Sequence, residues 1–134
     1  MPPTVLFVCQ HGSAKSVLAA RHLQELAASR GVAIECLAAG LDPDDAVPPH
    51  VVSGLSGDGL DFDGTKPRLL TRALVDRATH VVSFACVVGS EAPTHIIEWN
   101  DIPAVSDGYA AARDAIVARL QPLLDAIVSD DRRG

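Results

Sequence analysis

The sequence predicts a single α/β domain: a parallel sheet with helices on both faces. Three observations carry this reading. Short apolar runs alternate with longer stretches of helical period, in the order strand–helix–strand–helix–helix–strand–strand–helix. Hydrophobic residues make up 48% of the chain and aromatics only 4%. The core must therefore be mostly Ala, Val, Leu and Ile, which suits helices packed on buried strands. The length of 134 residues suits one domain with a self-sufficient core. Residues 1–128 are assigned to that domain, and 129–134 to a flexible tail.

Val5-Leu6-Phe7-Val8 is a continuous apolar run after Pro2-Pro3 and reads as a buried strand. Residues 14–30 follow as a helix: Ala19, Ala20, Leu23, Leu26 and Ala27 share a face, and Gly31 stops it. Val32 to Leu37 reads as the second strand, ending at Ala38-Ala39-Gly40. Residues 41–49 are a loop rich in Asp and Pro. A short helix covers His50 to Leu55, and Gly57-Asp58-Gly59 turns the chain. A helix is expected over about 69–77, a third strand at His80–Phe84, and a fourth at His95–Trp99. A last helix runs from Asp107-Gly108 to about residue 128, and Pro122 is expected to kink or restart it.

The formal net charge of −6 argues against nonspecific nucleic-acid binding and against docking on an anionic membrane. It leaves room for an anionic ligand, because a ring of backbone N–H groups can hold one inside an acidic protein. The start of the chain has no basic segment and only a short apolar run, so no signal peptide is read there. No run is long enough to span a membrane, and the expected location is the cytoplasm. Three cysteines, Cys9, Cys36 and Cys86, do not make a disulfide framework. Cys36 reads as core. The histidines, His11, His22, His50, His80 and His95, show no metal-ligand spacing.

The chemistry concentrates in Cys9-Gln10-His11-Gly12-Ser13-Ala14-Lys15-Ser16, the turn from first strand to first helix. Ligands of parallel α/β sheets bind at the carboxyl ends of strands. Successive N–H groups from Gln10 to Lys15, with the helix N-terminus behind them, can form a nest for an oxyanion. Gly12 lets the loop curl. Cys9 lies at the base, where the same dipoles favour a thiolate. Ser16 is placed to hydrogen-bond its sulfur, Ser13 to contact the oxyanion, and Lys15 brings a positive charge.

The stretch from Val5 to Leu23 resembles the start of the low-molecular-weight protein-tyrosine-phosphatase family, which includes the thioredoxin-coupled arsenate reductases. That family carries Cys-x5-Arg-Ser after its first strand. Ala38-Ala39-Gly40 resembles the family's Ser-Ala-Gly. Gly59-Leu60-Asp61 and Lys66-Pro67-Arg68-Leu69-Leu70-Thr71 resemble its Gly-Ile-Asp and Ser-Arg-Pro-Leu-Thr stretch. Trp99 to Ala104 and Arg113-Asp114-Ala115-Ile116 have counterparts near its Asp-Pro and in its last helix. The resemblance implies a flavodoxin-like three-layer domain with a four-stranded parallel sheet of order 2-1-3-4. It also implies Cys9 as nucleophile.

The departures from the pattern bear on function. Lys15 replaces the family's Arg, whose fork grips two oxygens at once; an ammonium is a point charge. Ile102, not Asp, precedes Pro103, so the general acid is sought at Asp107 or Asp101. Asp107 reads equally well as a helix cap. His11 adds a titratable donor at the mouth. Cys86 falls where the arsenate reductases keep a second thiol, which makes Cys9–Cys86 a candidate redox pair. The leading expectation is a cysteine-dependent phosphatase or arsenate-reductase-like enzyme for phosphate, sulfate or arsenate-like oxyanions. It would need no bound cofactor, but as a reductase it would need an external thiol or thioredoxin-like reductant. The alternatives are a catalytically weak oxyanion-binding or regulatory module of the same fold, and a IIB-type phosphocarrier, whose loop also reads Cys-x-x-Gly-x-x-x-Ser.

Overall fold

In the computed structural model, residues 2–84 and 96–133 are described. Four strands form one parallel sheet: β1 (Thr4–Cys9), β2 (Glu35–Gly40), β3 (His80–Ser83) and β4 (Ile96–Glu98). Their order is β2-β1-β3-β4, the flavodoxin-like arrangement. Order reverses at β1, so the loop leaving Cys9 opens at the switch point where such sheets bind ligands.

Side-chain alternation along β1 divides the core. Val5 and Phe7 join the large cluster built with Leu18, Leu23, Ile116, Leu120 and Leu124 from α1 (Lys15–Ser29) and α4 (Tyr109–Arg133). Val51 and Leu55 of α2 (Pro49–Gly57) belong to the same cluster. Leu6 and Val8 face the other way, against Val75 of α3 (Arg72–Arg77) and Val81. Every β1 residue is buried, as a central strand covered on both faces requires. Phe7, Phe84 and Trp99 pack ring to ring, with centroids 5.7–6.2 Å apart.

Several expected boundaries are corrected. β2 begins at Glu35, not Val32, because the end of α1 consumes the intervening residues. Gly31 takes φ 67°, its N–H reaches the Ala28 carbonyl, and the Val32 N–H reaches the Ala27 carbonyl, which is the Schellman closure. α3 begins at Arg72, not near residue 69, since the Thr71 hydroxyl caps the Leu74 N–H at 3.2 Å and Leu69 bridges to Gly40 instead. α4 is a single helix through Pro122 and continues to Arg133, past the expected end near 128. Pro122 and Ala118, whose carbonyl loses its partner there, are both exposed, so water replaces the bond. Buried Leu120, Leu123, Leu124 and Ile127 hold both halves on the core. No helix among the described residues is long and apolar enough to cross a membrane.

Candidate active site

The loop Cys9–Ser16 sits at the carboxyl edge of the sheet. Cys9 and Ser16 are both buried, and the Cys9 sulfur lies 3.0 Å from the Ser16 hydroxyl oxygen. A serine hydroxyl at that distance can donate to a thiolate and stabilise it. α1 starts at Lys15 without a side-chain cap at Ala14, so its first N–H groups are unspent. Among the described residues, none of the N–H groups from His11 to Lys15 donates to a protein acceptor. Lys15 is half-buried, and its ammonium has no partner among the described residues. An unspent run of N–H donors, a cation without a partner and a buried sulfur therefore occupy one turn. This combination suits a tetrahedral oxyanion.

The loop's curl depends on Gly12, at φ 60°. Its backbone lies directly against the end of β2: a Cβ on Gly12 would stand 2.6 Å from the Gly40 nitrogen. The outer side is fixed by the 41–49 segment. The Asp42 N–H donates to the Gln10 carbonyl at 2.8 Å and the Asp44 N–H to the His11 carbonyl at 3.1 Å. The Ser13 hydroxyl donates to Asp44 Oδ2 at 2.6 Å, so Ser13 offers the cradle its N–H rather than its side chain. His11 Nδ1 lies 3.1 Å from the Asp42 carbonyl. A carbonyl only accepts, so Nδ1 carries the proton of that bond. Sequence reasoning places Asp42 and Asp44 in an Asp- and Pro-rich loop and Gly40 at the end of the second strand, and reads none of their contacts with the Cys9–Ser16 loop.

The two candidate acids differ in their surroundings. Asp101 is exposed and takes a hydrogen bond from Arg119 at 2.6 Å. That bond holds its carboxyl below the usual range, whereas a proton donor must keep its proton. Arg119 also lies 5.8 Å from the Trp99 ring centroid. Asp107 ends the single 3₁₀ turn Val105–Asp107. The cap position before Tyr109 falls to Gly108, and the Asp107 carboxylate has no partner among the described residues. Tyr109, the first residue of α4, donates to Asp58 at 2.7 Å. Its ring fills the space above Gly54, where a Cβ would lie 2.2 Å from Cε2. Burial, with the hydrogen bond to Asp58 and the Asp58 charge, pushes the phenol well up. Asp58 also accepts from Arg113 at 2.6 Å. Cys36 is half-buried on the edge strand, and burial beside Glu35 pushes its thiol up to about 12. Cys86 lies outside the described residues, and so does any Cys9–Cys86 contact.

Residues 4–94 match the family described as low molecular weight phosphotyrosine protein phosphatase. The chain belongs to this family. Among solved structures it is similar to the Corynebacterium glutamicum thioredoxin-dependent arsenate reductase, with 26% identity and a TM-score of 0.81. That match covers 96% of this chain and 63% of the reductase, so the chain spans under two thirds of it. It is also similar to the YwlE arginine phosphatase from Geobacillus stearothermophilus, at 21% identity and TM-score 0.81, covering 98% and 97% of the two chains. A third is an arsenate reductase in the phosphate binding state, at 20% identity and TM-score 0.76, covering 93% and 98%. No curated protein sequence matches the chain.

Proposed function

We propose that the chain is a cysteine-dependent phosphatase or arsenate-reductase-like enzyme, with the Cys9–Ser16 loop as its oxyanion site. The observation that carries this reading is the unspent run of N–H groups from His11 to Lys15 around a buried Cys9–Ser16 pair. The phosphate-bound relative of the same fold supports it.

In the phosphatase reaction the three non-bridging oxygens sit in the N–H nest with Lys15 beside them. The Cys9 thiolate attacks phosphorus, an S–P bond forms and the P–O bond to the leaving group breaks. Asp107 supplies the proton to the departing oxygen. Water then attacks phosphorus, giving its proton to Asp107, and the S–P bond breaks to release phosphate and restore the thiolate. Ser16 stabilises the thiolate before attack and after release. With arsenate, an As–S bond forms at Cys9 as an As–O bond breaks and its oxygen leaves as water. A thiol from solution then attacks the Cys9 sulfur, and the As–S electron pair goes to arsenic and releases As(III). A second thiol reduces the resulting mixed disulfide to restore the Cys9 thiolate.

A second reading, an oxyanion-binding module of the same fold with little turnover, draws on Lys15. The charge of the transition state spreads over three oxygens, and a single ammonium lacks the two-pronged grip of Arg. Assays of aryl-phosphate hydrolysis and thiol-dependent arsenate reduction by the unmodified chain and Cys9→Ser separate the two. Turnover that vanishes in Cys9→Ser supports the enzyme. Phosphate binding without turnover supports the module and overturns the enzyme reading.

A further inference from the structure

The outer side of the oxyanion loop is tied to one short segment, Asp42-Pro43-Asp44. The N–H groups of Asp42 and Asp44 turn to the loop and meet the Gln10 and His11 carbonyls, at 2.8 and 3.1 Å. The residue between them is a proline, which has no N–H to leave unpaired. Its ring fixes φ near about −65° and biases Asp42 to an extended backbone.

These two bonds decide which way the loop's donors point. Among the described residues every peptide bond is trans. In a trans peptide the carbonyl of one residue and the N–H of the next point in opposite directions. With the Gln10 carbonyl drawn out to Asp42, the His11 N–H points away from the segment. With the His11 carbonyl drawn out to Asp44, the Gly12 N–H does the same. Both N–H groups belong to the unspent run of donors. A carbonyl turned inward would present negative charge to an anion where a donor is needed.

The Ser13 side chain completes the tie. Ser13 is 2% exposed, and its 2.6 Å bond to Asp44 Oδ2 has the short length of a hydroxyl donating to a carboxylate. Asp44 Oδ1 lies 3.7 Å from His11 Nδ1, and that nitrogen donates to the Asp42 carbonyl at 3.1 Å. Asp44 thus grips the loop through its N–H at His11 and through its carboxylate at Ser13. Deleting the carboxylate leaves the buried Ser13 hydroxyl without its acceptor, which is costly.

We infer that Asp44 is a positioning residue of the oxyanion site: bonded to Ser13, it holds the 42–44 segment on the loop and keeps the His11 and Gly12 N–H groups turned to the oxyanion. This role rests on the reading of Cys9–Ser16 as that site. Charge alone works the other way. A carboxylate near an anion repels it, so removing Asp44 would then tighten phosphate binding. Removing a positioning residue weakens it.

The test compares Asp44→Ala, Asp44→Asn and Ser13→Ala in the full ¹⁵N-labelled chain. Both Asp44 variants remove the charge, but only Asp44→Asn keeps an oxygen for the Ser13 hydroxyl. Inorganic phosphate, titrated by calorimetry, binds Asp44→Ala and Ser13→Ala about tenfold or more weakly, the scale of one hydrogen bond to a charged group. Asp44→Asn stays within about threefold of the unmodified chain. The double variant Ser13→Ala with Asp44→Ala loses no more than either alone, because both delete the same bond. Without phosphate, amide exchange at Asp42 speeds up in Asp44→Ala and Ser13→Ala by about tenfold and does not change in Asp44→Asn. Equal phosphate affinity in Asp44→Ala and Asp44→Asn overturns the inference, as does unchanged Asp42 exchange in Asp44→Ala. If the unmodified chain binds no phosphate, the oxyanion reading falls with the anion half of the inference, and Asp42 exchange still decides the Asp44–Ser13 tie.

Discussion

Gly12 and Gly40 touch backbone to backbone: a Cβ on Gly12 would stand 2.6 Å from the Gly40 nitrogen, and one on Gly40 would stand 2.4 Å from the Gly12 nitrogen. This contact seats the oxyanion loop on the end of β2. The two residues lie far apart in sequence but next to each other across the sheet, because β1 and β2 pair in register from Thr4↔Glu35 to Cys9↔Gly40. The two glycines set how far the loop curls over Cys9.

Gly40→Ala should therefore lift the loop without touching any residue that bears chemistry. We expect oxyanion affinity and turnover to fall at least tenfold. Gly12→Ala adds the penalty of a left-handed backbone, about 1–2 kcal/mol, to the same overlap. Calorimetric phosphate titration and thermal melts check both. Gly40→Ala with unaltered phosphate affinity would falsify the seating role.

How much of this was legible beforehand follows the range of the interactions. The strand–cradle–helix unit was legible because its signals are local: an apolar run, a glycine and Cys, Lys and Ser within eight residues. The sheet order followed from the family resemblance. The Gly12–Gly40 contact and the Ser13–Asp44 bond join residues 28 and 31 positions apart, and no periodicity encodes them. The start of β2 was misplaced for a similar reason. Val32 looks like strand, but its N–H is committed to closing α1. Cys36 read as core, yet on the edge strand it is only half-buried.

Lys15→Arg should raise turnover on aryl phosphates by about one to two powers of ten. The half-buried site has no competing partner for the side chain, and a guanidinium adds the second prong that an ammonium lacks. The gain should appear in kcat more than in KM, since the added grip matters most on the spread charge of the transition state. Steady-state kinetics of the variant decide it. An unchanged or lower kcat would show that this loop is not shaped for the fork.

Asp107→Asn and Asp101→Asn should separate the two carboxylates. As the acid, Asp107 accounts for about 10²-fold in kcat on substrates with poor leaving groups, and far less on p-nitrophenyl phosphate, whose phenolate leaves unaided. Asp101→Asn breaks the Arg119 bond and should change stability slightly and kcat little. Comparing good and poor leaving groups is the check. A large kcat loss confined to Asp101→Asn reverses the assignment.

Behind the cradle, His22 and Asp58 predict an acid-sensitive fold. Their side chains are 14% and 13% exposed, with Nε2 and Oδ2 3.3 Å apart but misaligned for a hydrogen bond. Burial, helped by the Arg113 and Arg21 charges, holds the imidazole below the usual histidine range despite Asp58. Burial pushes the Asp58 carboxyl up, but bonds from Tyr109 and Arg113 and the charges of Arg113 and His22 outweigh it and bring it down. Above about pH 6.5 His22 is neutral in both states. Below that the unfolded chain takes up the proton first, so stability falls with pH until the folded histidine titrates. The Asp58 contribution is present above about pH 3.9 and is lost as pH falls through its folded value. Denaturant unfolding across pH 4–8 should show a decline below 6.5 that His22→Gln flattens. An unflattened decline in His22→Gln contradicts the histidine assignment.

The most direct test is turnover by the unmodified chain against Cys9→Ser, on p-nitrophenyl phosphate and on arsenate with dithiothreitol. Hydrolysis or reduction by the unmodified chain, abolished in a folded Cys9→Ser that still binds phosphate, is the predicted result. Neither activity in the unmodified chain, or activity that survives the loss of the thiol, contradicts Cys9 as the nucleophile of an oxyanion-processing enzyme.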